Sequence, residues 1–207
     1  MAKMPRPISP RTFSPNNVAD LDEYGVALRV AAVFDELGIE YTLGGSLASS
    51  LQGEPRSTND VDFAVNLAED QVPRLVDRLG SDFVVDADAL RAAVKAGRSY
   101  QIYFLPVVLK IDLFMRGTTA FDRMEFARRV RVPLDEQTLY AASPEDNLLR
   151  KLMWFRDGGE VSDRQWRDIL GIIRVSGAAL DRAYLSRWAD QLGVKGFLDR
   201  ALDQGAA

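Results

Sequence analysis

Between residues 20 and 37, apolar side chains recur at Leu21, Val26, Leu28, Val30, Ala31, Val33, Phe34 and Leu37. That is helical spacing on a wide face, and Gly38 is a stop signal. Tyr41-Thr42-Leu43 reads as a short strand running into Gly44-Gly45-Ser46, followed by a short helix over 47–51. After a polar stretch over 52–59, Val61, Phe63 and Val65 alternate with Asp60, Asp62 and Ala64, the period of a strand. The pattern then predicts helices over 69–79 and 87–96, each followed by glycine, with a short strand over 83–85 between them. Further strands are expected over 100–104 and 107–115 and around Val130 and Val132. From Ser143 onward the period is helical throughout. Ser143-Pro144-Glu145-Asp146 is a helix start, with Ser as cap, Pro in the first turn and acids near the helix dipole's positive end. That helix runs to about Phe155 and breaks at Gly158-Gly159, and three more follow over 163–175, 181–192 and 195–202. The expected organisation is a Pro-rich flexible tail over 1–19, a mixed α/β core over 20–142 and a helical region over 143–207.

The 207 residues contain no Cys and no His. Disulfides, thiolate metal sites, His-based acid–base chemistry and Ser-His-Asp systems are therefore excluded. Carboxylates, Lys, Arg, hydroxyls and backbone amides remain, a set that suits hard, oxygen-seeking cations such as Mg²⁺ or Mn²⁺. The formal charge is −4, with ten basic and fifteen acidic side chains over residues 1–109. The chain as a whole is no basic nucleic-acid coat, so any such contact must come from a local patch. The run from Ile102 to Leu109 contains Pro106 and is far too short for a bilayer. With no apolar leader at the start, the expectation is a soluble, cytoplasmic protein without membrane association.

Within this frame, Asp60 and Asp62 lie two apart on a strand and therefore share a face, while Val61 and Phe63 point to the core. Adjacent carboxylates repel, and a divalent cation resolves the repulsion. Asp112 is a third acid, alone in the apolar strand Leu109-Lys110-Ile111-Asp112-Leu113-Phe114. If its strand neighbours the first, three carboxylates meet on one face, an arrangement that holds one or two metals and takes a proton from an attacking hydroxyl. The Gly44-Gly45-Ser46 turn, between a strand and a helix start, offers close backbone approach, free amides and a hydroxyl to phosphate. A Gly-Gly turn, an Asp-x-Asp and a lone strand acid are each commonplace; their order and strand context make them a set.

Taken together, Tyr41-Thr42-Leu43-Gly44-Gly45-Ser46, Arg56-Ser57-Thr58-Asn59-Asp60-Val61-Asp62 and the Asp112 strand resemble the polymerase-β-like nucleotidyltransferase superfamily. Within it, the chain is similar to the small bacterial AbiEii-type nucleotidyltransferases of abortive-infection and toxin–antitoxin systems. The Ser143–Asp146 helix with Lys151 and the Arg164–Ile169 segment fit that group's later motifs. The resemblance implies an α+β fold with a mixed β-sheet flanked by helices, followed by a C-terminal helical bundle. It implies that Asp60, Asp62 and Asp112 are catalytic and bind metal, and that Gly44, Gly45 and Ser46 hold nucleotide phosphates. Lys151 would contact the triphosphate or, as a catalytic residue, stabilise charge in the transition state, and Asp168 would hold the nucleotide or position Lys151. Arg56 would bind phosphate or tie its loop to an acid. An acid often found three residues after Asp168 is Gly171 here, and the group's frequent histidine is absent.

Spacing alone reads Lys151 as a helix-surface lysine and Asp168 as the i+4 partner of Arg164. It places Trp154 and Trp166 in a core between helices. Arg123, Arg128, Arg129 and Arg131 fall within nine residues opposed only by Glu125, so they are candidate RNA contacts or a solvated charged face. The expected activity is transfer of a nucleoside monophosphate from an NTP to an acceptor hydroxyl with release of pyrophosphate. By resemblance the acceptor is the 3′ end of tRNA and a cognate antitoxin is the partner. The alternatives are an aminoglycoside-like small molecule or a protein hydroxyl as acceptor, or a module that binds nucleotide or antitoxin without turnover.

Overall fold

The computed structural model describes residues 21–134 and 136–205; the expected Pro-rich tail over 1–19 lies outside them. Asp22 caps α1 (Glu23–Leu37) by accepting from the Gly25 amide, and Gly38 ends it in the left-handed conformation at φ 64°. β1 (Glu40–Leu43), α2 (Gly45–Gln52) and β2 (Asp60–Asn66) follow. The expected helix over 69–79 divides into a 3₁₀ turn over Glu69–Gln71 and α3 (Val72–Leu79), with Pro73 at the junction, where it needs no amide. β3 (Phe83–Val84), α4 (Ala87–Lys95) and β4 (Tyr100–Phe104) match the expected positions. β5 (Leu109–Met115) begins two residues late, because Leu105-Pro106-Val107 form a 3₁₀ turn and Val108 takes a left-handed φ of 50°.

Two elements were not anticipated. α5 (Ala120–Ala127) opens with a capping box between Thr119 and Asp122, a motif visible in the sequence. β7 (Gln137–Ala141) pairs antiparallel with β6 (Val130–Leu134). Pro133 is tolerated in β6 because that strand is the sheet's edge. The remaining helices are α6 (Pro144–Asp157), α7 (Asp163–Ser176), α8 (Arg182–Gln191) and α9 (Lys195–Gly205), close to their expected bounds.

The seven strands form one mixed sheet in the order β3-β4-β5-β2-β1-β7-β6. β2 runs antiparallel to β1 and parallel to β5, so the two acid-bearing strands are neighbours. The period of two sends Val61, Phe63, Val65, Ile111 and Leu113 into the main core beneath α1 and α3. Phe34, Tyr41 and Phe63 meet there edge to face or tilted, with centroids 5.4–5.7 Å apart. Burial drives these strands' apolar face down and leaves the acids on the opposite face. A second core joins α6 to α9 through Leu148, Leu152, Ile169, Ile172, Leu185 and Leu198, and it recruits Phe121 from α5. Among the described residues, no helix is long and apolar enough to cross a membrane.

Candidate active site

The site is built where β1, α2, β2 and β5 meet. The β2–β5 register pairs Asp60 with Lys110 and Asp62 with Asp112, so all four side chains project from the same face. Asp112 is buried, Asp62 half-buried, and Asp60 more open. The Thr58 hydroxyl donates to Asp60 Oδ1 at 2.5 Å and holds that carboxylate. Burial first, then the charges of Asp60 and Asp112, pushes the Asp62 carboxyl up to about 6, with Lys110 and Lys151 opposing the rise. The cluster is therefore short of positive charge, and its donors are all oxygen. That chemistry fits Mg²⁺.

The sequence pattern missed Lys110. Its Nζ lies 2.7 Å from Asp112 Oδ2 and 3.9 Å from Asp60 Oδ2. Among the described residues, no three acids are gathered into a ready metal cage. The triad shares a face, as its spacing implied, but an ammonium sits among its oxygens. Lys110 stands two residues before Asp112, so the same period that placed the acids also places it.

The Gly-Gly turn is tied directly to the acids. The Gly44 amide donates to the Asp62 carbonyl at 2.8 Å. Gly45 has φ 63°, and a Cβ built there would lie 1.8 Å from Asp62 Oδ2. Only glycine fits both demands. α2 starts at Gly45 with no side-chain cap, so the amides of its first turn are unclaimed by a side chain. α2 is braced from behind: Asn147 Nδ2 donates to Ser49 Oγ at 3.2 Å and to Gln52 Oε1 at 3.0 Å, and Gln52 donates to the Ala142 carbonyl.

Arg56, Lys151 and Asp168 form one network beside this turn. Arg56 donates to Asp168 through Nε at 2.8 Å and Nη2 at 3.0 Å, and also to the Ser46 hydroxyl. Lys151 Nζ donates to Asp168 Oδ2 at 2.8 Å. Both surface readings are thus corrected: Lys151 is buried, and Asp168 pairs with Arg56 and Lys151 instead of Arg164. Burial pulls the Lys151 ammonium below the usual lysine value, although Asp168 and Asp62 hold it up. Burial acts to raise Asp168, but the hydrogen bonds and charges of Arg56 and Lys151 outweigh it, and its carboxyl lies below the usual range. A carboxyl so held contributes stability that is full above the unfolded value, near 4, and is lost as pH falls through the lowered native one. Asp168→Asn is expected to cost about 3 kcal/mol at pH 7, because it leaves Lys151 buried without its counter-charge. Urea unfolding at pH 7 and pH 3.5 checks this: the deficit against wild type should shrink at the lower pH.

Gly171 has a packing reason. A Cβ at neighbouring Gly53 would lie 2.9 Å from the Gly171 carbonyl carbon, and one at Gly171 would lie 3.3 Å from the Glu54 amide. α7 passes so close to the end of α2 that any side chain at position 171 would press on the Glu54 backbone.

The arginine run does not form one free patch. Arg128 pairs with Glu145 at 3.2 Å and Asp146 at 3.3 Å and lies over the Tyr184 ring. Arg129 donates to the Phe126 carbonyl at 2.7 Å and pairs with Glu40 at 3.1 Å. Arg123 and Arg131 are exposed, yet they donate to the Thr118 carbonyl and to Thr138 Oγ1. Carboxylates of the same chain pair with the two central charges: buried Glu145 and Asp146 with Arg128, exposed Glu40 with Arg129. Trp166 packs against Phe155 at 5.0 Å within the helical core.

No family model and no curated protein matches this sequence. Solved structures do match its shape. One is an antigenic nucleotidyltransferase-like protein from Paracoccidioides brasiliensis: TM-score 0.53, 20% identity, covering 86% of this chain and 91% of that one. Another is a lincomycin-bound lincosamide antibiotic adenylyltransferase: TM-score 0.50, 14% identity, covering 73% of this chain and 96% of that one. The fold of this chain is the nucleotidyltransferase fold, with C-terminal helices appended as expected.

Proposed function

We propose that the protein is a metal-dependent nucleotidyltransferase that moves a nucleoside monophosphate from an NTP to an acceptor hydroxyl. The carrying observation is the close approach of the Gly44-Gly45 turn to Asp62: the Gly44 amide donates to the Asp62 carbonyl, and a Cβ at Gly45 would strike the Asp62 carboxylate. Asp60 and Asp62 would hold Mg²⁺, with Asp112 completing the set. The ion would supply charge neutralisation on the phosphates. The first-turn amides of α2 and the Ser46 hydroxyl bind the triphosphate, with Arg56 and Lys151, both steadied by Asp168, adding positive charge beside it. The acceptor oxygen attacks the α-phosphorus, and a new P–O bond forms as the α–β bond breaks. Pyrophosphate leaves with the electron pair, and a carboxylate of the set, Asp112 by its place on the far strand, takes the hydroxyl proton.

For the acceptor, the motif resemblance supports the tRNA 3′ end and a toxin role with an antitoxin partner. A specific observation favours a second reading. Arg128 is paired with the buried Glu145 and Asp146, and Arg129 with Glu40, which weakens the basic surface an RNA backbone needs. A small-molecule hydroxyl needs no such surface, and one of the matching structures is an antibiotic adenylyltransferase.

The test is label transfer from each α-³²P-NTP in turn, with Mg²⁺, in the presence of total bacterial RNA and separately of a small-molecule extract. Label in the tRNA band supports the toxin reading, and label in small molecules alone supports the second. Label in neither, with no protein labelled, counts against turnover.

A further inference from the structure

We propose that Lys110 is a built-in counter-cation of the acid cluster, one that keeps free divalent ions out until they arrive with nucleotide. The inference rests on the nucleotidyltransferase reading and goes beyond it, since that reading requires only the acids. The β2–β5 register sets Lys110 beside Asp60 and two residues from Asp112 on one face. Its Nζ reaches Oδ2 atoms of both, at 3.9 and 2.7 Å. An ammonium has three donors and no acceptor, so an oxygen it occupies is not open to a metal in the same direction. Asp112 has no other ion-pair partner among the described residues, and like charges face it from the paired Asp62.

The lysine is also free to leave. Its side chain is 32% exposed and ends a flexible four-carbon stem. A bare divalent ion must displace the ammonium and leave it without a counter-charge. A metal–triphosphate brings its own anionic oxygens, to which the displaced ammonium can turn. While Lys110 stays on Asp112 Oδ2, that oxygen is capped by a donor and is not a base. Displacement by metal–nucleotide therefore uncaps Asp112 at the moment the α-phosphorus is in place. Lys110 is in this account a positioning residue.

The experiment titrates chelator-stripped protein with Mn²⁺, read by electron paramagnetic resonance of the free ion, with and without a non-hydrolysable NTP analogue. Wild type is compared with Lys110→Gln, Lys110→Met and Lys110→Arg, each first shown to unfold cooperatively in urea. Without nucleotide, Lys110→Gln and Lys110→Met should bind Mn²⁺ at least tenfold more tightly than wild type, and Lys110→Arg should stay close to wild type. With the analogue present, the four should agree within a few-fold. Equal affinity of wild type and both neutral variants without nucleotide overturns the proposal while leaving the metal site standing. No Mn²⁺ binding by any protein, even with the analogue, overturns the metal reading itself and this inference with it.

Discussion

Asp62→Asn is expected to lower nucleotidyl transfer about a thousandfold while making the metal-free protein more stable. On the proposed function Asp62 would hold the catalytic ion, and losing such a ligand removes charge stabilisation made in the transition state; effects of this size, about 4 kcal/mol, are usual for such groups. The stability gain has the opposite origin. Asp62 is half-buried beside Asp112 and two residues from Asp60, and its carboxyl is pushed up to about 6 by burial and those neighbours. At neutral pH the folded protein therefore carries a charge that its surroundings disfavour. An isosteric amide removes the charge and keeps the volume, so the metal-free fold should gain about 2 kcal/mol. Single-turnover transfer rates and urea unfolding in chelator read the two effects separately. A purely structural acid would show the reverse, a loss of stability with activity lost only in proportion.

Gly45→Ala is expected to cost about 3 kcal/mol of stability and at least a hundredfold in transfer, whereas Gly44→Ala is expected to leave stability within about 1 kcal/mol. At Gly45 the backbone has φ 63°, and the added Cβ would lie 1.8 Å from Asp62 Oδ2 and 2.6 Å from its Cγ. Either the carboxylate leaves its place or α2 shifts, and both move the amides proposed to bind phosphate relative to the acids. At Gly44 the nearest atom to such a Cβ is the Asp62 carbonyl oxygen at 4.0 Å, ordinary contact, and φ is −124°. Thermal unfolding and transfer assays on the pair check the contrast. Equal tolerance of both alanines would mean that the turn is not what seats the acids.

What the sequence discloses and what it hides divide along physical lines. Asp60, Asp62 and the turn before them were legible because a strand's period of two is strict and glycine is the residue that close approach demands. The long helices were legible from apolar spacing and caps, as at Ser143, whose hydroxyl accepts from the Asp146 amide at 3.2 Å. Lys151 and Asp168 read as surface residues by spacing because they pair with each other across 17 positions and Asp168's other partner, Arg56, is 112 positions away, distances no local period spans. Lys110 was passed over because a lysine in a strand ordinarily marks the solvent side, and its meaning comes from the parallel neighbour opposite it. α5 and β7 were missed although Thr119-x-x-Asp122 and the alternation of Leu139 and Ala141 were present, since both elements are short and lie among charges. The arginine run shows the same limit: linear clustering says nothing of Glu145, Asp146 and Glu40, which the fold brings to Arg128 and Arg129.

The most direct test of a metal–triphosphate site on this face is a crystal structure with Mn²⁺ and an NTP analogue blocked between its α- and β-phosphates, with anomalous scattering locating the ion. The account predicts an anomalous peak at roughly 2.2 Å from carboxylate oxygens of Asp60 and Asp62. It also predicts phosphates against the amides that open α2 and Lys110 moved off Asp112. Phosphates seated elsewhere, or an ion that touches neither Asp60 nor Asp62, would contradict it.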